Sequence, residues 1–160
     1  MIEASVVSFI EGRVMILIAT RNTAYRPMIG RATGARFDVE SGQIILLVSA
    51  SQWPDAVTNA LPGAPITATF VKPDSYQAYQ IKGPVVDQKR ANAIEQARGT
   101  QYVEDMLDTM GALGVTRMQL SSTLSDRDLV RISFFPRDLF VQTPGPHAGQ
   151  RIGAWEKTLS

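Results

Sequence analysis

The chain of 160 residues is 44% hydrophobic and 19% charged, and its 16 basic residues nearly balance its 15 acidic residues. This length and composition exclude a disordered chain, and the near-neutral charge gives no general attraction to nucleic acid or an anionic membrane. The absence of cysteine excludes disulfides and thiolate-bound metals, and the single histidine, His147, excludes a multi-histidine zinc site within one chain. We therefore expect one domain over residues 1–160 without a metal site.

The apolar segments and the start of the chain predict where the protein works. The longest apolar runs, Val14–Ala19 and Ile44–Val48, are strand-sized, whereas a membrane-spanning helix needs about 18 residues or more. The first residues, Met1–Glu3, lack the basic start of a secretory signal. We therefore expect a cytoplasmic protein without a membrane partner.

The first half of the chain predicts strands joined by short turns. Its segments are rich in β-branched and apolar residues and are bounded by Gly, Pro, Asp or Ser. The predicted strands are Ser5–Ile10, Val14–Thr20, Tyr25–Asp38, Ile44–Ser49, Pro65–Val71 and Gln77–Val86. Glu11–Arg13 predicts a hairpin turn between the first two strands. Pro54–Leu61 predicts one short helix, because a proline in the first turn of a helix costs no hydrogen bond.

The second half predicts a helical insert, a last strand and an arm. The insert covers residues 87–120, where apolar side chains recur at helical spacing, and the strand covers Asp128–Phe135, where they alternate. The C-terminal arm, residues 136–160, contains the Pro- and Gly-rich stretch Gln142–Gly149, which we expect to be a loop that does not extend a sheet and crosses to a partner subunit. Closely spaced strands with tight turns favour a mainly β fold, an antiparallel barrel of six to seven strands.

The sequence contains no recognised motif for nucleotide binding or hydrolysis. There is no P-loop, no G-x-G-x-x-G after a strand, no G-x-S-x-G and no H-E-x-x-H. A Ser/His/Asp arrangement would have to use His147 in its Pro/Gly loop, which is typical of a solvated or interface histidine. A hydrolytic enzyme is therefore disfavoured.

Arginine is the more informative residue type, because four arginines fall within 16 residues at Arg21, Arg26, Arg31 and Arg36. The arginine fork suits phosphates and carboxylates. In a regular strand Arg26 and Arg36 would share one face and Arg31 the other, whereas a bulge at one of the glycines between them would change this assignment. Small residues between Arg31 and Arg36 would let a flat ligand lie against the backbone. The alternative is that these arginines are ordinary surface residues and the glycines form a bend.

The order of several segments resembles a known family. These segments are Ile18–Arg21, Arg26-Pro27, Arg31–Arg36, Ile44–Ser49, Pro54–Leu61, Ala64–Phe70 and Tyr79–Val85. Their order resembles the pyridoxamine 5′-phosphate oxidase-like split-barrel family over about residues 5–86, and Thr143–Pro146 resembles the tail of some uncharacterised members. The resemblance implies a six-stranded Greek-key split barrel with a helical insert, a homodimer, and FMN bound at the dimer interface.

The resemblance also implies which residues bind the cofactor. Arg31 and Arg36 match the two ends of the family's basic-x-x-x-x-basic motif. The main chain around Ala32 and Thr33 would face the flavin ring, and Ser49 and Ser51 would lie near its phosphate or ribityl chain. The basic step that holds the phosphate in oxidase-type members is absent after Ser51, where Gln52-Trp53-Pro54-Asp55 follows.

Three functions follow from these observations. The first is a flavin-binding redox protein, an FMN-dependent oxidoreductase if it is an enzyme, with an unknown small-molecule substrate. The second is a split-barrel binding module that holds a deazaflavin or no cofactor, without pyridoxamine phosphate oxidase activity. The third, a nucleic-acid-binding small barrel, is disfavoured by the neutral charge and by the lack of an aromatic stacking platform.

Overall fold

The computed structural model describes residues 2–155, in which eight strands and four helices are found. The strands are β1 (Met15–Arg21), β2 (Pro27–Asp38), β3 (Gln43–Ser49), β4 (Pro65–Val71), β5 (Ala78–Arg90), β6 (Leu129–Phe134), β7 (Asp138–Val141) and β8 (Arg151–Ala154). The helices are α1 (Ala4–Ile10), α2 (Pro54–Asn59), α3 (Ala93–Gly111) and α4 (Arg117–Ser121).

Six of the strands form a closed antiparallel barrel. Around the barrel they follow the order β4-β1-β2-β3-β6-β5, and β4 pairs with β5 to close the ring. Closure removes the exposed strand edges that an open sheet would present. The prediction of a mainly β, antiparallel split barrel is confirmed.

The barrel interior is filled by side chains that alternate along each strand. In β1, Ile16 and Ile18 are fully buried, whereas Leu17 between them is 37% exposed. This period of two is what the pleated backbone imposes, because successive side chains point to opposite faces. The largest fully buried side chains include Ile44, Leu46, Ile66, Phe70, Ile81, Ile132 and Phe134. We use "outer face" for the side of the strands that points away from these residues.

The prediction of a first strand at Ser5–Ile10 is wrong, because these residues lie in α1. Val6 and Ile10 are four residues apart, so a helix places both on the face that packs on the core, and both are buried. Glu11–Arg13 is therefore not a hairpin turn. Instead, the Glu11 side chain links the end of α1 to β2, because Glu11 Oε1 accepts a hydrogen bond from the Phe37 N–H at 2.8 Å.

The prediction that the Pro- and Gly-rich stretch Gln142–Gly149 is a loop is confirmed, but this loop joins two strands of the C-terminal arm, and these strands do extend the sheet. β7 pairs with β5 and β8 pairs with β7, while residues 142–150 form the connection between them. Gly145 and Gly149 adopt positive φ angles of 145° and 85° in this connection, a region that glycine enters without strain. Residues 156–160 of the predicted arm lie outside the described part of the chain.

The insert between β5 and β6 begins later than predicted. β5 continues to Arg90, so residues 87–90 are strand rather than helix, and α3 begins at Ala93. Asn92 caps α3 by accepting from the Glu95 N–H, while the Glu95 side chain accepts from the Asn92 N–H. No helix among residues 2–155 has the length and apolarity needed to cross a membrane.

Candidate functional site

A bulge in β2 brings Arg31 and Arg36 to the same face of the barrel. The register with β3 shifts between Ala32 and Ala35, and Gly34 in this segment has a φ of 130°. Arg31 lies opposite Leu17 of β1, and Arg36 lies opposite Ile45 of β3. Because directly opposed residues share a face, both arginines point to the outer face. The regular-strand assignment, with the two arginines on opposite faces, is wrong, and the bulge alternative is confirmed at Gly34.

Helix α3 lies across this part of the outer face. Gly99 is the point of closest approach, because a Cβ there would lie 2.3 Å from Leu129 Cδ1 and 3.3 Å from Thr33 Oγ1. Thr33 is consequently 1% exposed, and its hydroxyl donates to Leu47 O at 3.4 Å. The helix therefore covers the strand segment between the two arginines.

The predicted cofactor-binding residues of β2 lie in three environments: the barrel core, the face that α3 covers, and the exposed border of a groove. Ala32 points into the barrel core, and Thr33 lies beneath α3. Arg31 is only 7% exposed, and its Nη1 donates to Thr123 Oγ1 at 2.9 Å. Arg36 is exposed and borders a groove beside α3.

The two predicted serines lie in the turn after β3. Ser49 is fully buried, and its hydroxyl lies 3.3 Å from the Ser51 hydroxyl and accepts from the Gln52 N–H at 3.3 Å. Ser51 is exposed and borders a shallow pocket next to α4. The bulge thus brings Arg31, Thr33 and Arg36 to one face, but these residues and the serines do not line a single open site.

The larger opening is a groove of about 500 Å³ between α3, the α1–β1 turn and the outer faces of β2, β3 and β6. On the barrel side its lining is small and apolar and consists of Gly34, Ala35, Ile45 and Leu47. The opposite wall comes from α3. This groove is called the α3 groove below.

Charged side chains surround the α3 groove, and only some of them neutralise one another. Its charged lining consists of Arg13, Arg36, Arg98 and Arg131 together with Glu11, Glu95 and Asp105. Arg13 pairs with Asp105 at 3.3 Å, and Arg131 pairs with Glu95 at 3.1 Å. Within residues 2–155, Arg36 and Arg98 have no carboxylate partner within 4.0 Å. Two guanidinium groups are therefore free to bind an anion.

Sequence reasoning missed Arg98 as a groove residue. Ile94, Arg98, Gln101 and Asp105 follow one another at helical spacing, so a shared helix face could have been predicted from the sequence. The strand face on which this helix packs could not be predicted from the sequence, because contacts between distant segments determine it.

Tyr102 of α3 is buried between the helix and the barrel. Its hydroxyl donates to Val14 O at 2.6 Å, and burial raises its pKa above the usual range. Burial also lowers the pKa of the Arg31 guanidinium, an effect that the nearby Tyr102 hydroxyl partly offsets. Arginine stays protonated in proteins, so Arg31 is a buried cation.

Comparison with known proteins identifies the fold. No family model matches the chain, and no curated protein matches it. Among solved structures it is similar to HupZ of Group A Streptococcus, at 18% identity over 93% of this chain and 100% of that chain, with a TM-score of 0.55. It is also similar to a putative pyridoxamine 5′-phosphate oxidase of Lactobacillus delbrueckii, at 10% identity over 87% and 93% of the two chains (TM-score 0.52).

A third solved structure, an F420 reductase, is 14% identical over 82% of this chain and 93% of that chain, with a TM-score of 0.50. All three likenesses span most of both chains, and at these identities they show a shared fold. The class of the protein is therefore that of the split barrels. This is the fold that the sequence resemblance implied.

Proposed function

We propose that the protein binds a flat, anionic cofactor of the flavin type in the α3 groove and acts as a redox protein. The observation that carries this proposal is the pair Arg36 and Arg98, which lack carboxylate partners within the described chain and border a groove with a small and apolar lining. A cationic, partly apolar groove selects a ligand with a flat ring and a negative charge.

The shape and the lining of the groove fit such a ligand. Its volume of about 500 Å³ falls within the range typical of small-molecule sites, roughly 300–1,000 Å³. Gly34 and Ala35 leave little side-chain bulk above the bulged strand, so a ring can approach the backbone. Ile45 and Leu47 supply apolar contact beside it. The names of two solved neighbours, an F420 reductase and a putative pyridoxamine 5′-phosphate oxidase, support a flavin or deazaflavin.

The protein's own residues would bind and orient this cofactor. Arg36 and Arg98 supply positive charge from two elements, a strand and a helix, and so restrict the position of an anionic group between them. A bound flavin supplies the electron-transfer chemistry. The ion pair between Arg131 of β6 and the buried Glu95 of α3 joins the helix to the barrel and so holds this wall of the groove in place.

A cofactor-free binding module is the second candidate, and the turn after β3 favours it. Ser49 and Ser51 contact each other, Arg31 is buried, and Gln52–Asp55 contains no basic residue. A phosphate bound there would lack the charge-assisted hydrogen bonds that usually hold it. A protein that keeps only the α3 groove would bind an anion without flavin chemistry.

A homodimer is part of the same proposal. On the outer face of β1 and β2, Leu17 and Ile29 are 37% and 68% exposed and lie on neighbouring strands. An apolar sheet surface of this kind is typical of a protein interface. Analytical ultracentrifugation of the wild type and of Ile29→Lys tests it, because a charge at a dimer contact would shift the protein towards monomer, whereas equal sedimentation coefficients would contradict this contact.

The first experiment is an absorbance and fluorescence spectrum of the purified protein, followed by titration with FMN, riboflavin and F420. We expect saturable binding of at least one of these, near one ligand per chain. Comparing riboflavin with FMN measures what the phosphate contributes, because the two share the ring. The absence of binding to all three would reject the redox proposal in favour of the cofactor-free module.

A further inference from the structure

Arg31 is a buried cation that the rest of the described chain does not neutralise. No carboxylate among residues 2–155 lies within 4.0 Å of it. Of its three nitrogens, only Nη1 has a partner, the Thr123 hydroxyl, whereas Nε and Nη2 are buried without one. The neighbouring Tyr102 hydroxyl gives its proton to Val14 O, and its oxygen, which lies near the guanidinium, offsets only part of the effect of burial on Arg31. A buried charge with unmade hydrogen bonds destabilises the folded protein unless something else compensates it.

The two unpaired nitrogens indicate what would compensate the charge. Nε–H and one N–H of Nη2 point in parallel from the same edge of the guanidinium plane, and this fork matches the two oxygens of a carboxylate. One carboxylate carries one negative charge, which equals the charge of Arg31. A dianion would leave a second negative charge buried without a partner.

A ligand would reach this edge of the Arg31 guanidinium from the shallow pocket next to α4. The pocket, of about 380 Å³, is bordered by Gln52, Ser121 and Leu124, which lie next to the Thr123 segment that Arg31 contacts, and by the charged side chains of Asp126 and Arg127.

Gln52, which borders the same pocket, is a second residue with a buried polar atom that has no partner. Its Oε1 is buried and unpaired, and its Nε2 reaches Ser121 O only at 3.5 Å. Two side chains from different elements, Arg31 and Gln52, thus leave polar atoms unpaired against the same short segment. The lining of Val103 and Leu124 would accommodate a few aliphatic carbons of a ligand.

The geometry points to a second ligand site, separate from the α3 groove, in which Arg31 binds the carboxylate of a small monocarboxylic acid beneath α4. The acid enters beside Gln52 and Leu124, and its two oxygens accept from Nε–H and Nη2–H of Arg31. The site does not depend on the flavin proposal, because neither Arg31 nor Thr123 borders the α3 groove, although Tyr102 borders the groove and also lies beside the Arg31 guanidinium.

The test is a calorimetric titration of the wild-type protein with acetate and with phosphate at constant ionic strength, in parallel with the ¹H–¹⁵N signal of the Arg31 Nε–H. We expect saturable binding of one acetate per chain and a downfield shift of this signal, with phosphate at least about tenfold weaker. The spectroscopic part needs only wild-type protein once the signal is assigned, so it does not depend on whether a variant folds.

Arg31→Lys and Arg36→Lys form a matched pair for the same titration. Lysine keeps the positive charge but loses the planar fork, so Arg31→Lys should weaken acetate binding about tenfold or more, and Arg36→Lys should change it less than twofold. Loss of acetate binding in Arg36→Lys alone would place the acetate in the α3 groove and overturn the proposal. Absence of acetate binding to the wild type, or phosphate binding as tight as acetate, would also overturn it.

Discussion

The interior of the barrel and its outer face under α3 are built from different kinds of residues. The interior is apolar except for Thr20, whose hydroxyl donates to Ala56 O, and its fully buried side chains include Ile16, Phe70 and Ile132. Five of the six buried polar residues within 2–155 belong instead to the outer face or to the helix that covers it: Arg31, Thr33, Ser49, Glu95 and Ser133.

This difference separates what stabilises the fold from what can bind a ligand. Burial of apolar surface stabilises a structure without specifying chemistry, whereas a buried polar group is costly unless it has a partner. The interior therefore explains why the chain folds as a barrel. The covered outer face contains the groups whose partners are incomplete, and it is where we expect ligands.

The largest expected effect comes from a cavity in the interior. Phe70 is fully buried between β1 and β5, so Phe70→Ala removes a large apolar side chain and leaves a void. We expect the free energy of unfolding to fall by about 3–5 kcal/mol, as is typical of such substitutions. Urea denaturation measures it, and a loss below about 1 kcal/mol would contradict a tightly packed interior.

A smaller effect is expected at the contact between α3 and the barrel. Gly99→Ala places a Cβ 2.3 Å from Leu129 Cδ1, so the Leu129 side chain or the helix must move. Alanine favours a helix by about 1 kcal/mol over glycine, but the clash should outweigh this gain and leave a net loss of about 1–2 kcal/mol.

Gly111→Ala, at the end of the same helix, is the matched control for Gly99→Ala. A Cβ at Gly111 meets nothing within 4 Å and its φ is not positive, so only the helix preference remains and stability should stay the same or rise slightly. Equal effects of the two substitutions in thermal unfolding would show that α3 does not lie against Leu129.

The smallest effect, and one that depends on pH, is expected at Tyr102. Tyr102→Phe removes the hydrogen bond to Val14 O, which should cost about 1 kcal/mol at pH 7. Because burial raises the pKa of Tyr102 in the folded protein, its contribution is complete below about pH 10, the value for an unfolded tyrosine, and decreases as the pH rises further.

The difference in stability between wild type and Tyr102→Phe should therefore be constant up to about pH 10 and shrink between about pH 10 and about pH 11. Denaturation at several pH values in this range measures it. A difference that stays constant or grows with pH would show that the hydroxyl is solvated rather than buried.

The sequence predicts the barrel better than the covered face. Strands such as Ile44–Ser49 and Pro65–Val71 are found with bounds within one residue of those predicted, because their apolar pattern is local. Ser5–Ile10 is a run of six residues that fits a strand or a helix, and only its packing on the core decides between them. The pairing of β7 with β5 likewise depends on contacts between segments about sixty residues apart.

The candidate site was predicted in part for the same reason. Arg31 and Arg36 could be identified from their spacing, and a glycine between them allowed a bulge, but the φ of Gly34 is fixed only in the folded strand. No local signal showed that α3 would cover Thr33 and leave Arg36 open. The sequence predicts a helical insert but not the surface on which it packs; α3 lies on the outer face of β2 and β6 and forms a wall of the groove.

The most direct test of the central claim, that the ligand-binding part of this barrel is the α3 groove on its outer face, is the dissociation constant of FMN for three proteins: wild type, Arg36→Ala and Arg26→Ala. Both arginines are exposed, but only Arg36 borders the groove. We predict that Arg36→Ala weakens binding about tenfold or more, because it removes a charge-assisted contact, and that Arg26→Ala changes it less than twofold. Equal affinities of the two variants would contradict the assignment of the groove.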